Sequence, residues 1–110
     1  MEDSMDKEQR EELKQEMSKE LKPLVVTTAH RGVFFGYGIP SDAPTIRLEK
    51  AQMCLYWPVE NKGVVGLAVD GPLKGARVGP AAPVITLLDV TAVMEVTEEA
   101  EKRWMKKPWS

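Results

Sequence analysis

Short runs of β-branched and aromatic residues, cut apart by glycine and proline, fill residues 24–96, and this punctuation limits the fold more than any other feature of the chain. Leu24-Val25-Val26-Thr27-Thr28, Gly32-Val33-Phe34-Phe35-Gly36-Tyr37 and Thr45-Ile46-Arg47-Leu48 have the length and composition of strands. Gly38 to Pro44, with two prolines and several turn formers, reads as the hairpin loop between the second and third. Ala51 to Trp57 continues the sheet until Pro58 closes it, and Asn61-Lys62-Gly63 marks a turn. Val64 to Val69 is apolar, small and interrupted by glycine, which suits a strand or a short helix equally. Residues 70–83 hold three glycines and three prolines and read as a long loop. Val84 to Leu88 and Val90 to Val96, separated by Asp89, complete the strands, and one of them is expected in the middle of the sheet.

Charged segments flank this block. Residues 1–22 carry eight acidic and five basic side chains, with Leu13, Met17 and Leu21 spaced i, i+4, i+8 as one narrow apolar stripe before Pro23. That pattern predicts a weakly amphipathic helical arm that docks either on its own domain or on another subunit. Residues 97–107 predict a second helix: Thr97 serves as N-cap, Glu98, Glu99 and Glu101 crowd the first turns, and Lys102, Arg103, Lys106 and Lys107 the last, in the order that complements the helix dipole. Trp104 with Ala100 or Met105 gives this helix an apolar face, and Pro108 ends it. The expected fold is therefore α+β. Residues 23–110 form a small antiparallel sheet or partly open barrel of five or six strands, with the arm over residues 1–22 in front and the short helix behind.

The inventory of reactive side chains narrows the function. His30 is the only histidine and Cys54 the only cysteine, which leaves no internal disulfide, no thiolate metal cluster and no second ligand or base to support a Cys/His pair or a zinc site. Gly32, Gly36 and Gly38 lack the spacing of a dinucleotide fingerprint, and no serine lies in a nucleophile-elbow setting. The chain is accordingly read as a binding protein without catalytic activity, metal or cofactor. A formal charge of -2 gives no broad attraction to nucleic-acid polymers. No segment resembles a signal peptide or a membrane span, so a reduced cytosol is the expected compartment.

Lys74 and Arg77 stand among the glycines of residues 71–79, where missing side chains let backbone N–H groups approach an anion; the same loop can equally be a stiff connection with two solvated cations. Arg31 and Arg47 are further cations able to converge on a bound anion. Tyr56 and Trp57 sit where a strand ends, a place for a flat ring to stack, and strand alternation turns the two to opposite faces. Trp104 and Trp109 suit helix docking or a subunit contact.

Arg31-Gly32-Val33, Ile46-Arg47-Leu48-Glu49-Lys50-Ala51 leading into Tyr56-Trp57, Gly66-Leu67-Ala68 followed by Gly71, Ile85-Thr86-Leu87 and Val93-Met94-Glu95-Val96-Thr97 form a pattern over residues 28–104. It resembles a family of small phage and prophage proteins of unassigned function and, more distantly, the phage Thoeris anti-defence sponges. The resemblance implies an oligomeric phage protein in the host bacterial cytosol that sequesters a nucleotide immune signal, such as a cyclic ADP-ribose isomer or a cyclic oligonucleotide, without cleaving it. The match lies in framework positions, so the candidate ligand-binding set of Arg31, Arg47, Tyr56, Trp57, Lys74 and Arg77 rests on residue chemistry alone. The competing expectation is a protein-interaction module, a phage inhibitor of a host protein or a small accessory structural protein, acting through residues 1–22.

Overall fold

The computed structural model describes residues 21–106, so residues 1–20 of the arm expected over 1–22, and Trp109, lie outside them. The elements are β1 (Lys22–Thr28), β2 (Val33–Gly38), β3 (Ile46–Tyr56), a 3-10 turn (Val59–Asn61), α1 (Val64–Val69), β4 (Arg77–Val78), β5 (Ala82–Leu87), β6 (Val90–Glu95) and α2 (Glu98–Met105). All strand pairs are antiparallel, in the order β4-β3-β2-β1-β6, with β5 beside the first half of β3 and β4 beside its end. Lys22 and Pro23, expected to close the arm, already belong to β1.

The sheet is strongly bent. Only Leu88 and Asp89 separate β5 from β6, so Leu87 and Val90 lie within about 11 Å of each other, whereas β5 and β6 in a flat sheet of this order would stand roughly 19 Å apart. The bend occurs in β3, where the pairing with β2 slips between Phe35 and Tyr37 and Lys50 takes a left-handed φ of 51°. Beyond this bulge the first half of β3 folds back over β1 and β2, and the backbone N–H of Val90 donates to the Pro44 carbonyl at 2.9 Å. Gly36 and Gly38 make the approach possible. A Cβ at Gly36 would stand 2.9 Å from the Cβ of Leu48, and one at Gly38 2.8 Å from the carbonyl oxygen of Arg47. β5 and β6 do not pair, so the six-stranded sheet is not closed.

Two apolar clusters result, one on each side of β1. Leu24, Val26, Ile46, Leu48, Ala51 and Leu87 fill the inside of the bend. Val25, Val33, Phe35, Cys54 and Val78 pack against Leu67 and Ala68 of α1 and Ala100 and Trp104 of α2 on the other side. This is why Leu24, Val25 and Val26 are all fully buried: β1 has no solvent face.

Three expectations need correction. Neither strand after residue 83 is central: β5 and β6 are both edges, and the interior belongs to β1, β2 and β3. The short link at Asp89, with φ 54°, looks like a hairpin turn, yet each strand pairs elsewhere because the sheet curls between them. The loop read over residues 70–83 contains β4 and the start of β5, and Pro83 is tolerated because an edge strand needs no outward N–H. Finally, the runs 45–48 and 51–57 are one strand of 11 residues, bent rather than broken at Lys50.

Val64 to Val69 is a helix. Six residues are too few to hold a helix alone, and α2 supplies what is missing. The indole N–H of Trp104 donates to the Leu67 carbonyl at 3.0 Å, the Thr97 backbone N–H to Ala68 at 3.0 Å, the Thr97 hydroxyl to Val69 at 2.7 Å and the Arg103 guanidinium to Asp70 at 2.6 Å. The carbonyls that a helix end leaves without partners are thus capped from 28 or more residues away. Thr97 also accepts from the Ala100 N–H, so one residue caps the start of α2 and the end of α1.

Candidate functional site

β3 is bent at Lys50, and the residues expected to bind a ligand divide between its two halves: Arg47 lies before the bend and the others gather around the end of the strand. Tyr56 closes β3 directly opposite Arg77 of β4, and both side chains are exposed. Tyr56 is 54% exposed, while Trp57, just past the end of β3, is partly buried against the cluster beneath α1 and α2. Lys74 lies exposed in the turn before β4, next to Gly75, which has a φ of 99° and where an added Cβ would stand 4.0 Å from the Pro58 ring. Arg31, also exposed and with a left-handed φ of 63°, is in the β1–β2 turn, which the antiparallel register carries to the same end of the sheet. Arg47 does not join them. It lies in the first half of β3, beyond the bend at Lys50, and its guanidinium is held by Glu49 at 3.2 Å.

The anchor of this end is a residue that sequence reading passed over. Asn61 is fully buried; its amide nitrogen donates to the Gly71 carbonyl at 2.7 Å and its oxygen accepts from the Leu73 N–H at 3.2 Å. One side chain therefore fixes the start of the Gly71–Gly79 loop and, with it, the turn that carries Lys74. The only available hint was an asparagine in a turn, which ordinarily faces solvent.

Two further groups stand out chemically. The Tyr37 hydroxyl donates to the Glu101 carboxylate at 2.6 Å, and burial first, then Glu101, holds the phenol well above its ordinary range. Burial also pushes the Cys54 thiol up, from 9.0 to about 11. Between these values the unfolded chain has lost the thiol proton and the folded chain keeps it, so stability falls as pH rises from about 9 to about 11. Urea midpoints measured over that range are expected to drop, and less so for Cys54→Ala. At pH 8 the thiol is expected to react slowly with disulfide reagents.

His30 is exposed in the β1–β2 turn, with its ring 3.8 Å from the Asp89 carboxylate. Among the described residues no cluster of three or more His, Cys, Asp or Glu side chains is arranged to hold a metal ion, and no helix is long and apolar enough to cross a membrane. Two grooves in the described surface both border Tyr37 and Lys50, and none of the six expected residues lines them.

The sheet with its two helices is also the unit that comparison with other proteins isolates. A family model for a domain of unknown function, DUF6948, matches residues 21–104, from the residue before β1 to the buried Trp104. The chain belongs to the DUF6948 family. No curated protein and no solved structure matches it. The DUF6948 unit thus includes Asn61, the Tyr56–Arg77 pair and the α1–α2 caps, while residues 1–20 fall outside the match.

Proposed function

We propose that this DUF6948 domain captures a nucleotide-derived small molecule without cleaving it, as a phage anti-defence protein acting in the bacterial cytosol would. The observation that supports the reading is the register of β3 and β4, which sets an exposed Tyr56 beside an exposed Arg77. A base stacked on the tyrosine gains about 1–3 kcal/mol, and a phosphate within reach of Arg77 gains a charge-assisted, bidentate contact. Lys74, on the turn leading into β4, and Arg31, in the turn at the same end of the sheet, add positive charge. This end of the sheet is open surface, whereas small-molecule sites cover most of their ligand. A second copy of the chain placed over it would provide that cover, so the reading includes a homo-oligomer.

The test is incubation with a panel of cyclic ADP-ribose isomers and cyclic oligonucleotides. Free ligand is expected to fall for one class, heating the protein is expected to return it intact, and Arg77→Ala should weaken capture about tenfold or more. Recovery of a hydrolysed product would make the protein an enzyme. Absence of binding across the panel would defeat the reading.

A protein-interaction module is the second reading, favoured by the apolar side chains exposed around the same end: Val59 at 84%, Val65 at 63% and Leu55 at 49%. A stoichiometric host protein retained by the full chain, with no nucleotide bound, would support it. The route through residues 1–22 lies almost wholly outside the described residues.

A further inference from the structure

The bulge that bends β3 leaves a depression between the strand and the end of α2. Lys50 is its pivot. One groove, of about 200 Å³, is lined by Phe35, Tyr37, Lys50, Gln52, Ala81 and Met105. A second, of about 380 Å³, borders Leu21, Tyr37, Glu49 and Lys50. Both share Tyr37 and Lys50, so they flank one aromatic ring and one ammonium group.

We propose that this depression is a second binding site, distinct from the Tyr56–Arg77 end, for a small planar aromatic carboxylate or phosphate. The Tyr37 ring is held edge-on to Phe35, with centroids 5.5 Å apart, and fixed at its far end by Glu101, which makes it a rigid wall for a flat ring. Met105, 68% exposed on the last turn of α2, supplies an adaptable apolar wall opposite. The Gln52 amide nitrogen is turned toward the Gly79 carbonyl at 3.4 Å, which leaves its oxygen as an acceptor.

The charge pattern sets the anionic preference. Glu49 is paired with Arg47, and the Glu101 carboxylate, whose charge the neutral Tyr37 hydroxyl does not cancel, is turned to that hydroxyl at the far end of the ring. Among the described residues Lys50 has no ion-pair partner, so its ammonium is the unspent charge at the rim. Lys50 also has a φ of 51°, a conformation that glycine adopts without steric cost and a lysine does not.

The probes are phenyl phosphate, benzoate, inorganic phosphate and benzyl alcohol, titrated into the full chain while backbone amide resonances are followed. Phenyl phosphate or benzoate is expected to shift the amides of Tyr37, Lys50, Gln52, Ala81 and Met105. Inorganic phosphate and benzyl alcohol, each lacking one half of the ligand, are expected to leave them in place. Lys50→Gly should weaken binding about tenfold or more and leave the melting temperature equal or higher, which separates loss of the charge from loss of the fold. Lys50→Gln should weaken binding as well. Shifts of equal size from benzyl alcohol, unchanged binding by Lys50→Gly, silence from all four probes, or shifts centred on Tyr56 and Arg77 would overturn the assignment. Failure here leaves capture at the Tyr56–Arg77 end standing, because Arg77→Ala tests that separately.

Discussion

Trp104→Ala is expected to destabilise the domain by about 3–5 kcal/mol, a large part of the roughly 5–15 kcal/mol that holds a protein of this size folded. Trp104 is fully buried, its ring stacks on Phe35 with centroids 4.9 Å apart and 6° between planes, and its indole N–H caps the Leu67 carbonyl. Removing it empties the centre of the cluster under the helices and leaves a buried acceptor without a donor. The damage should reach α1, because that helix depends on α2 for its terminal caps. Urea unfolding followed by circular dichroism measures the loss. Trp104→Phe, which keeps most of the ring and gives up the hydrogen bond, should cost less than half as much. A loss below about 1 kcal/mol for Trp104→Ala, the range of an ordinary surface change, would mean that α2 does not hold the fold together.

Gly66→Ala carries the second large effect, and its sign is the informative part. In a helix with free surroundings this change stabilises by about 0.5–1 kcal/mol. At Gly66 a Cβ would stand 1.5 Å from the Asn61 carbonyl oxygen, a backbone atom that cannot swing aside. α1 and the 3-10 turn would have to separate, pulling Asn61 from the Gly71 and Leu73 backbone that it clamps. A destabilisation of about 3 kcal/mol or more is expected, at or above the upper end for overpacked cores. Because the clamp fixes the loop start, Gly66→Ala should also weaken capture at the Tyr56–Arg77 end under conditions where the domain still folds. A variant as stable as the parent would contradict the close packing of α1 on the turn.

Most of the sheet was legible because local chemistry and tertiary structure agree there. The β-branched and aromatic runs form β1, β2, β5 and β6, and Thr97 with its following glutamates starts α2 as its cap chemistry requires. What stayed hidden depends on partners distant in sequence. α1 has no helical signal of its own strength, since its caps come from Thr97, Arg103 and Trp104. The expected central place for β5 or β6 was not met, because the bend at Lys50 lets their two-residue link join two edges of one sheet. Of the six candidate ligand residues, Tyr56 and Arg77 meet through strand register, which a sequence does not encode locally, and Arg47 is set apart from them by the bend at Lys50. Asn61 and Lys50, the two residues that shape the surface most, look ordinary in the sequence because burial and a left-handed backbone give them their roles.

Capture of a nucleotide between copies of the chain is the central claim, and native mass spectrometry of freshly purified protein tests it most directly, since one spectrum reports subunit number and retained ligand together. The expected result is an oligomer that carries a nucleotide-sized mass increment, lost in Arg77→Ala. A bare monomer that also fails to gain mass when the cyclic nucleotide panel is added would contradict it.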